Sequence, residues 1–116
     1  MKNSRNIKRR HLFFYLQVTD AKSGKLLGYV VDITPRGLKI ISEERCDDQS
    51  AMNLKMKLPD DIGQKKDIYF DAKCIWSGKD VNSDFFANGF EILNLDESAL
   101  HTIENIINEY GFEDLE

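Results

Sequence analysis

Hydrophobic and polar positions alternate along most of this chain. Met52, Leu54, Met56 and Leu58 are separated by the single polar residues Asn53, Lys55 and Lys57, the period of a strand with one buried face. Ile68, Phe70, Ala72, Cys74 and Trp76 share one parity against Tyr69, Asp71 and Lys73, which predicts a long strand with Trp76 on its core face. Residues 12–19 are aromatic and β-branched, residues 26–34 carry Tyr29, Val31 and Ile33 on one parity, and residues 38–41 and 85–93 are again apolar. Six short strands result, divided by turn chemistry: Ala21-Lys22-Ser23-Gly24-Lys25, then Pro35-Arg36-Gly37, where Pro sets its own φ and Gly tolerates a positive one. Residues 43–50, 59–66 and 78–84 read as polar loops. Gly89, inside the last strand, predicts a bulge or a close backbone approach.

Beyond residue 94 the period changes. Leu100, Ile103, Ile106, Ile107 and Tyr110 recur at helical spacing, so one helix ends the pattern. Asn94 with Glu97 resembles a capping box, and Gly111 stands where a helix stop is expected. Six strands and one helix in 116 residues predict a single all-β domain, a small antiparallel barrel or sandwich that the helix plugs or flanks.

Charge adds what periodicity does not. Of 16 basic side chains, Lys2, Arg5, Lys8, Arg9 and Arg10 fall in the first ten residues with no acid among them, which leaves 11 bases against 20 acids elsewhere. A basic tail on an acidic body suits a compact phosphorylated ligand or an acidic partner, and repels a long polyanion. Single-stranded nucleic acid is disfavoured on that ground, and no DNA or RNA partner is expected. Two cysteines, Cys46 and Cys74, and two histidines, His11 and His101, are too few for a zinc or histidine-rich metal centre and suggest no activated nucleophile. No enzyme, metal or cofactor is therefore expected. The longest strictly apolar run, Leu12 to Leu16, falls far short of the ~20 residues that span a bilayer, and no secretory pattern follows the basic start. A cytoplasmic protein without membrane insertion is the expectation.

Two segments resemble the PilZ domain family: Lys8-Arg9-Arg10-His11-Leu12, and Asp32-Ile33-Thr34-Pro35-Arg36-Gly37. The second is similar to that family's Asp/Asn-x-Ser-x-x-Gly motif, with Thr34 keeping the hydroxyl of the usual serine. Ala72-Lys73-Cys74-Ile75-Trp76 is similar to the family's strand ending in tryptophan, and Asn88-Gly89-Phe90-Glu91-Ile92 to its glycine-centred last strand. The likeness runs over roughly residues 8–110. It implies a six-stranded antiparallel PilZ-type β-barrel with a C-terminal α-helix, divided into a flexible basic tail (1–11) and a barrel with its helix (12–112). It also implies a ligand, the bacterial second messenger cyclic di-GMP.

The chemistry fits that implication. Arginine forks bond guanine edges or phosphate and stack on bases; a carboxylate accepts from guanine's N1 and N2 donors. The residues so implied are Arg5, Arg9, Arg10, Asp32, Thr34, Arg36, Gly37 and Trp76. Asp32 and Thr34 have a second reading as turn stabilisers, and Trp76 a second reading as core. The arginine motif is atypical: without gaps Arg9 takes its first position and Phe13 its second, whereas Arg5 and Arg9 keep the three-residue spacing and Arg10 can substitute locally. A cyclic di-GMP receptor, monomeric or a small homo-oligomer, would act by ordering its tail and binding a protein effector. The alternative is a degenerate PilZ domain that binds no nucleotide and works through protein contacts, with Phe13, Phe14 and Tyr15 as its surface.

Overall fold

Eight elements follow one another: β1 (Arg10–Asp20), β2 (Leu26–Thr34), β3 (Gly37–Ser42), β4 (Met52–Lys57), β5 (Asp67–Lys79), β6 (Phe86–Asn94), α1 (Glu97–Tyr110) and β7 (Gly111–Glu113). The structure, a computed structural model, describes residues 10–46, 49–58 and 66–113, with side chains between 16 and 109 of these. The strands form one antiparallel sheet in the order β2-β3-β6-β5-β4-β1-β7, and β1 pairs back onto β2. That last pairing closes six strands into a barrel, as the turn and strand pattern requires, and removes the exposed edges of an open sheet.

Alternation decides which side chains fill it. Val18, Met56 and Ile68 meet in register across β1, β4 and β5, and Leu54 lies opposite Phe70; all five are buried. Leu38 and Phe90 pair likewise on the inner faces of β3 and β6. Ala99, Thr102, Ile103 and Ile106 make the buried face of α1, and Ile103 and Ile106 join the same core cluster as the strands. Each of these two isoleucines contributes about 2 kcal/mol by leaving water. Among the described residues no helix is long and apolar enough to cross a membrane.

Three local expectations are corrected. The cap of α1 is Asp96, whose Oδ1 accepts the Ala99 amide at 2.7 Å, not Asn94, which ends β6 opposite Asp71. Replacing Asp96 by Ala is expected to lower stability by about 1 kcal/mol, read from urea denaturation. Gly111 does follow the helix, but it also begins β7, which pairs with Arg10 to Leu12. Gly37 does not have a positive φ, a feature limited among the described glycines to Gly24 and Gly28. Its constraint is proximity, since a Cβ there would stand 2.7 Å from the Phe90 carbonyl oxygen.

Candidate functional site

The site grows from the end of β2. Thr34 closes the turn after it: its Oγ1 accepts the amides of Arg36 and Gly37, each at 3.2 Å, and donates to the Gly37 carbonyl at 3.4 Å. These bonds pre-set the Pro-Arg-Gly corner, the turn-stabilising role that hydroxyl side chains commonly play. The Arg36 carbonyl accepts the Ile92 amide at 2.8 Å, which ties the corner to β6 and leaves the Arg36 side chain exposed.

Asp32 stands at a registry crossing. It pairs with His11 of β1 on one side and Lys39 of β3 on the other. Lys39 faces outward, because Leu38 and Ile40 on either side are buried while it is half-buried. Lys39 pairs with Gly89 of β6, and Gly89 with Trp76 of β5. One continuous row therefore crosses five strands of the outer wall: His11, Asp32, Lys39, Gly89, Trp76. Neighbouring strands lie about 4.8 Å apart, so Asp32 and the glycine beneath the indole are roughly 10 Å from one another.

Trp76 is not in the core. The register between β5 and β6 slips between Cys74 and Trp76, so one extra residue, Ile75, breaks the parity that joins Trp76 to Phe70 and Cys74. Ile75 and Trp76 are both exposed, Trp76 to 47%. Its indole covers Gly89, where the Nε1, Cε2 and Cδ1 atoms occupy the space a Cβ would need. The glycine is required by close approach of a ring, and an exposed indole stands over the residue that pairs with Lys39.

A buried polar group that sequence reasoning missed lies directly behind this face. Asn88 is 1% exposed. Its Nδ2 donates to the Ile40 carbonyl at 3.1 Å and to Ser42 Oγ at 2.8 Å, while its Oδ1 accepts Ser77 Oγ at 2.6 Å. The Cys46 amide reaches both Ser77 Oγ (3.2 Å) and Asn88 Oδ1 (3.4 Å). Asn88 thus joins β3, β5, β6 and the segment after β3 at one point. Its only sequence signal is its position beside Gly89, with a polar side chain where the strand parity points inward.

The other residues fall as follows. Arg5 and Arg9 lie outside the described residues, and Arg10 is described by its backbone, which opens β1 one residue from the His11–Asp32 pair. Between His11 and Leu16 the register of β1 against β2 slips, so that residues 12–15 lie opposite Val31 alone. Among the described residues no group of three His, Cys, Asp or Glu could hold a metal ion. A shallow concavity of about 400 Å³, lined by Lys66, Asp67, Tyr69 and Asp96 among others, begins seven residues before Trp76 on β5, roughly 23 Å along the strand, and is not part of this row.

The family model for the PilZ domain matches residues 3–109. Comparison with curated proteins found no match. Among solved structures, the PilZ domain with c-di-GMP of YcgR from Escherichia coli superimposes with a TM-score of 0.67 at 16% identity, over 93% of this chain and 92% of that one. The Bacillus subtilis inhibitor of motility, MotI/DgrA, gives a TM-score of 0.67 at 12% identity, over 92% of this chain and 50% of that one. The Borreliella burgdorferi PlzA protein in complex with c-di-GMP gives 0.52 at 11% identity, over 84% and 45%. At these identities the likeness is one of fold, and this chain spans half or less of the lengths of MotI/DgrA and PlzA.

Proposed function

Since the chain belongs to the PilZ domain family, we propose that it is a cyclic di-GMP receptor without enzymatic activity, which holds the dinucleotide on the outer wall of the barrel. The observation that carries this reading is the in-register row: a carboxylate (Asp32), an ammonium (Lys39) and an exposed indole (Trp76) side by side, with the basic N-terminal segment joining the barrel at His11. A guanine needs an acceptor for its N1 and N2 protons, a flat face to stack on and cations for the phosphates. Asp32 supplies the first and Trp76 the second, and Arg5, Arg9, Arg10 and Arg36 are the candidate cations. Thr34 and Gly37 shape the corner beside them. Two ligand-bound PilZ-type structures among those of similar fold support the choice of ligand.

In this reading the guanidinium groups ahead of and at the start of β1 close over the ligand, and the new surface recruits a protein effector in the cytoplasm. Titration calorimetry with cyclic di-GMP tests it directly. Binding in the micromolar range or tighter is expected, weakened about tenfold in Asp32→Ala, the cost of a hydrogen-bonded carboxylate. Absence of heat at several hundred micromolar ligand would remove the receptor reading and leave a PilZ domain working through protein contacts.

A further inference from the structure

The row contains one residue for which the motifs give no role. Lys39 sits between Asp32 and Gly89, the glycine that the indole covers, two residues beyond Gly37, in the first strand after the corner. Its cross-strand partner Gly89 has no side chain, and the Trp76 indole covers that glycine. Lys39 is half-buried, as expected of a long cationic side chain that lays its stem along apolar surface and carries its ammonium to the solvent side. A ligand that spans from the carboxylate to the indole must pass over this ammonium.

We infer that Lys39 is a phosphate-binding and specificity-determining residue of the site, a cation fixed in the barrel wall. This rests on the nucleotide-binding reading above. The division of labour has a physical basis. A guanine edge is met by Asp32 and a ring by Trp76, and neither can neutralise a phosphodiester; a compact ammonium on a strand held by ladders on both sides does so. Lys39 also makes ligand charge count at the wall. Guanosine, which offers the same base without a phosphate, gains nothing from it.

Lys39→Met keeps the stem and removes the charge, so the barrel should retain its melting temperature. Its affinity for cyclic di-GMP is expected to fall about tenfold, with a flatter dependence on salt than the unaltered chain, because one ionic contact is gone. Lys39→Arg is expected to restore most of both. Lys73→Met, on the outer wall one row away opposite Glu91, serves as the control and should bind as the unaltered chain does. If the unaltered chain binds cyclic di-GMP and Lys39→Met binds within twofold of it with the same salt slope, the inference fails and the receptor reading stands. If the unaltered chain binds nothing, both fall.

Discussion

Gly89→Val is expected to lower stability by about 2 kcal/mol and to drive the Trp76 indole off the barrel wall. The new Cβ would fall on the ring atoms Nε1, Cε2 and Cδ1, and two atoms cannot share that space. The backbone of β6 is held by ladders to β3 and β5, so the side chain has to give way. The loss is the packing of one aromatic face plus the strain of a branched residue in a crowded strand, each an effect of about 1 kcal/mol. Trp76 is the only tryptophan in the chain, so its fluorescence reports on this one contact. A red-shifted emission, a lower urea midpoint and a loss of cyclic di-GMP affinity greater than that of Asp32→Ala should appear together. An unshifted emission with unchanged stability would show that the ring does not rest on Gly89. Unchanged nucleotide affinity with the ring displaced would remove Trp76 from the site while leaving the packing argument intact.

The six strands and the helix were legible because their buried faces are long and regular. Met52 to Leu58 and Ile68 to Cys74 carry a period that no helix could satisfy, and the inner faces of both strands are buried as that period demands. What failed was parity across irregularities. A period counted along β5 runs straight through Ile75, but the bulge there turns Trp76 to the outside. The signal was present in the partner strand: Gly89, read as a bulge or close approach, is the seat of the same ring. The arginine motif meets the same difficulty in β1, where the register slips by several residues between His11 and Leu16. Between His11 and Leu16, spacing along that strand does not translate directly into spacing on the wall.

Turn chemistry was read correctly in kind and less well in cause. Thr34 and Gly37 do build the corner, yet glycine is needed there for the approach of Phe90's carbonyl and not for a left-handed backbone. A single sequence shows which residues tolerate a turn; it does not show which neighbouring strand presses against it. For the same reason nothing in the sequence singles out Lys39. Only the cross-strand register places it between Asp32 and the indole.

Asn88→Ala is expected to cost about 3 kcal/mol, the largest single-residue loss proposed for this barrel. The side chain donates to Ile40's carbonyl and Ser42 Oγ and accepts from Ser77 Oγ and the Cys46 amide, all in a site closed to water by Asn88's own burial. Alanine satisfies none of these groups and leaves a void. Stranding even two of them costs about 1 to 3 kcal/mol each, and compensation is partial, since Ser42 Oγ keeps its bond to Glu44's carbonyl and the Cys46 amide its bond to Ser77. Asn88→Leu fills the void without satisfying the polar groups, so it should recover little. The network also braces the wall from behind: Ser77 follows Trp76, whose carbonyl receives the Cys74 Sγ at 3.2 Å. A barrel that folds without Asn88 should therefore hold its indole less firmly, with faster acrylamide quenching of Trp76 than in the unaltered chain. An unfolding free energy from urea within about 0.5 kcal/mol of the unaltered chain would mean that the hydrogen bonds around Asn88 contribute no net stability, and unchanged quenching would uncouple them from the wall that carries Trp76.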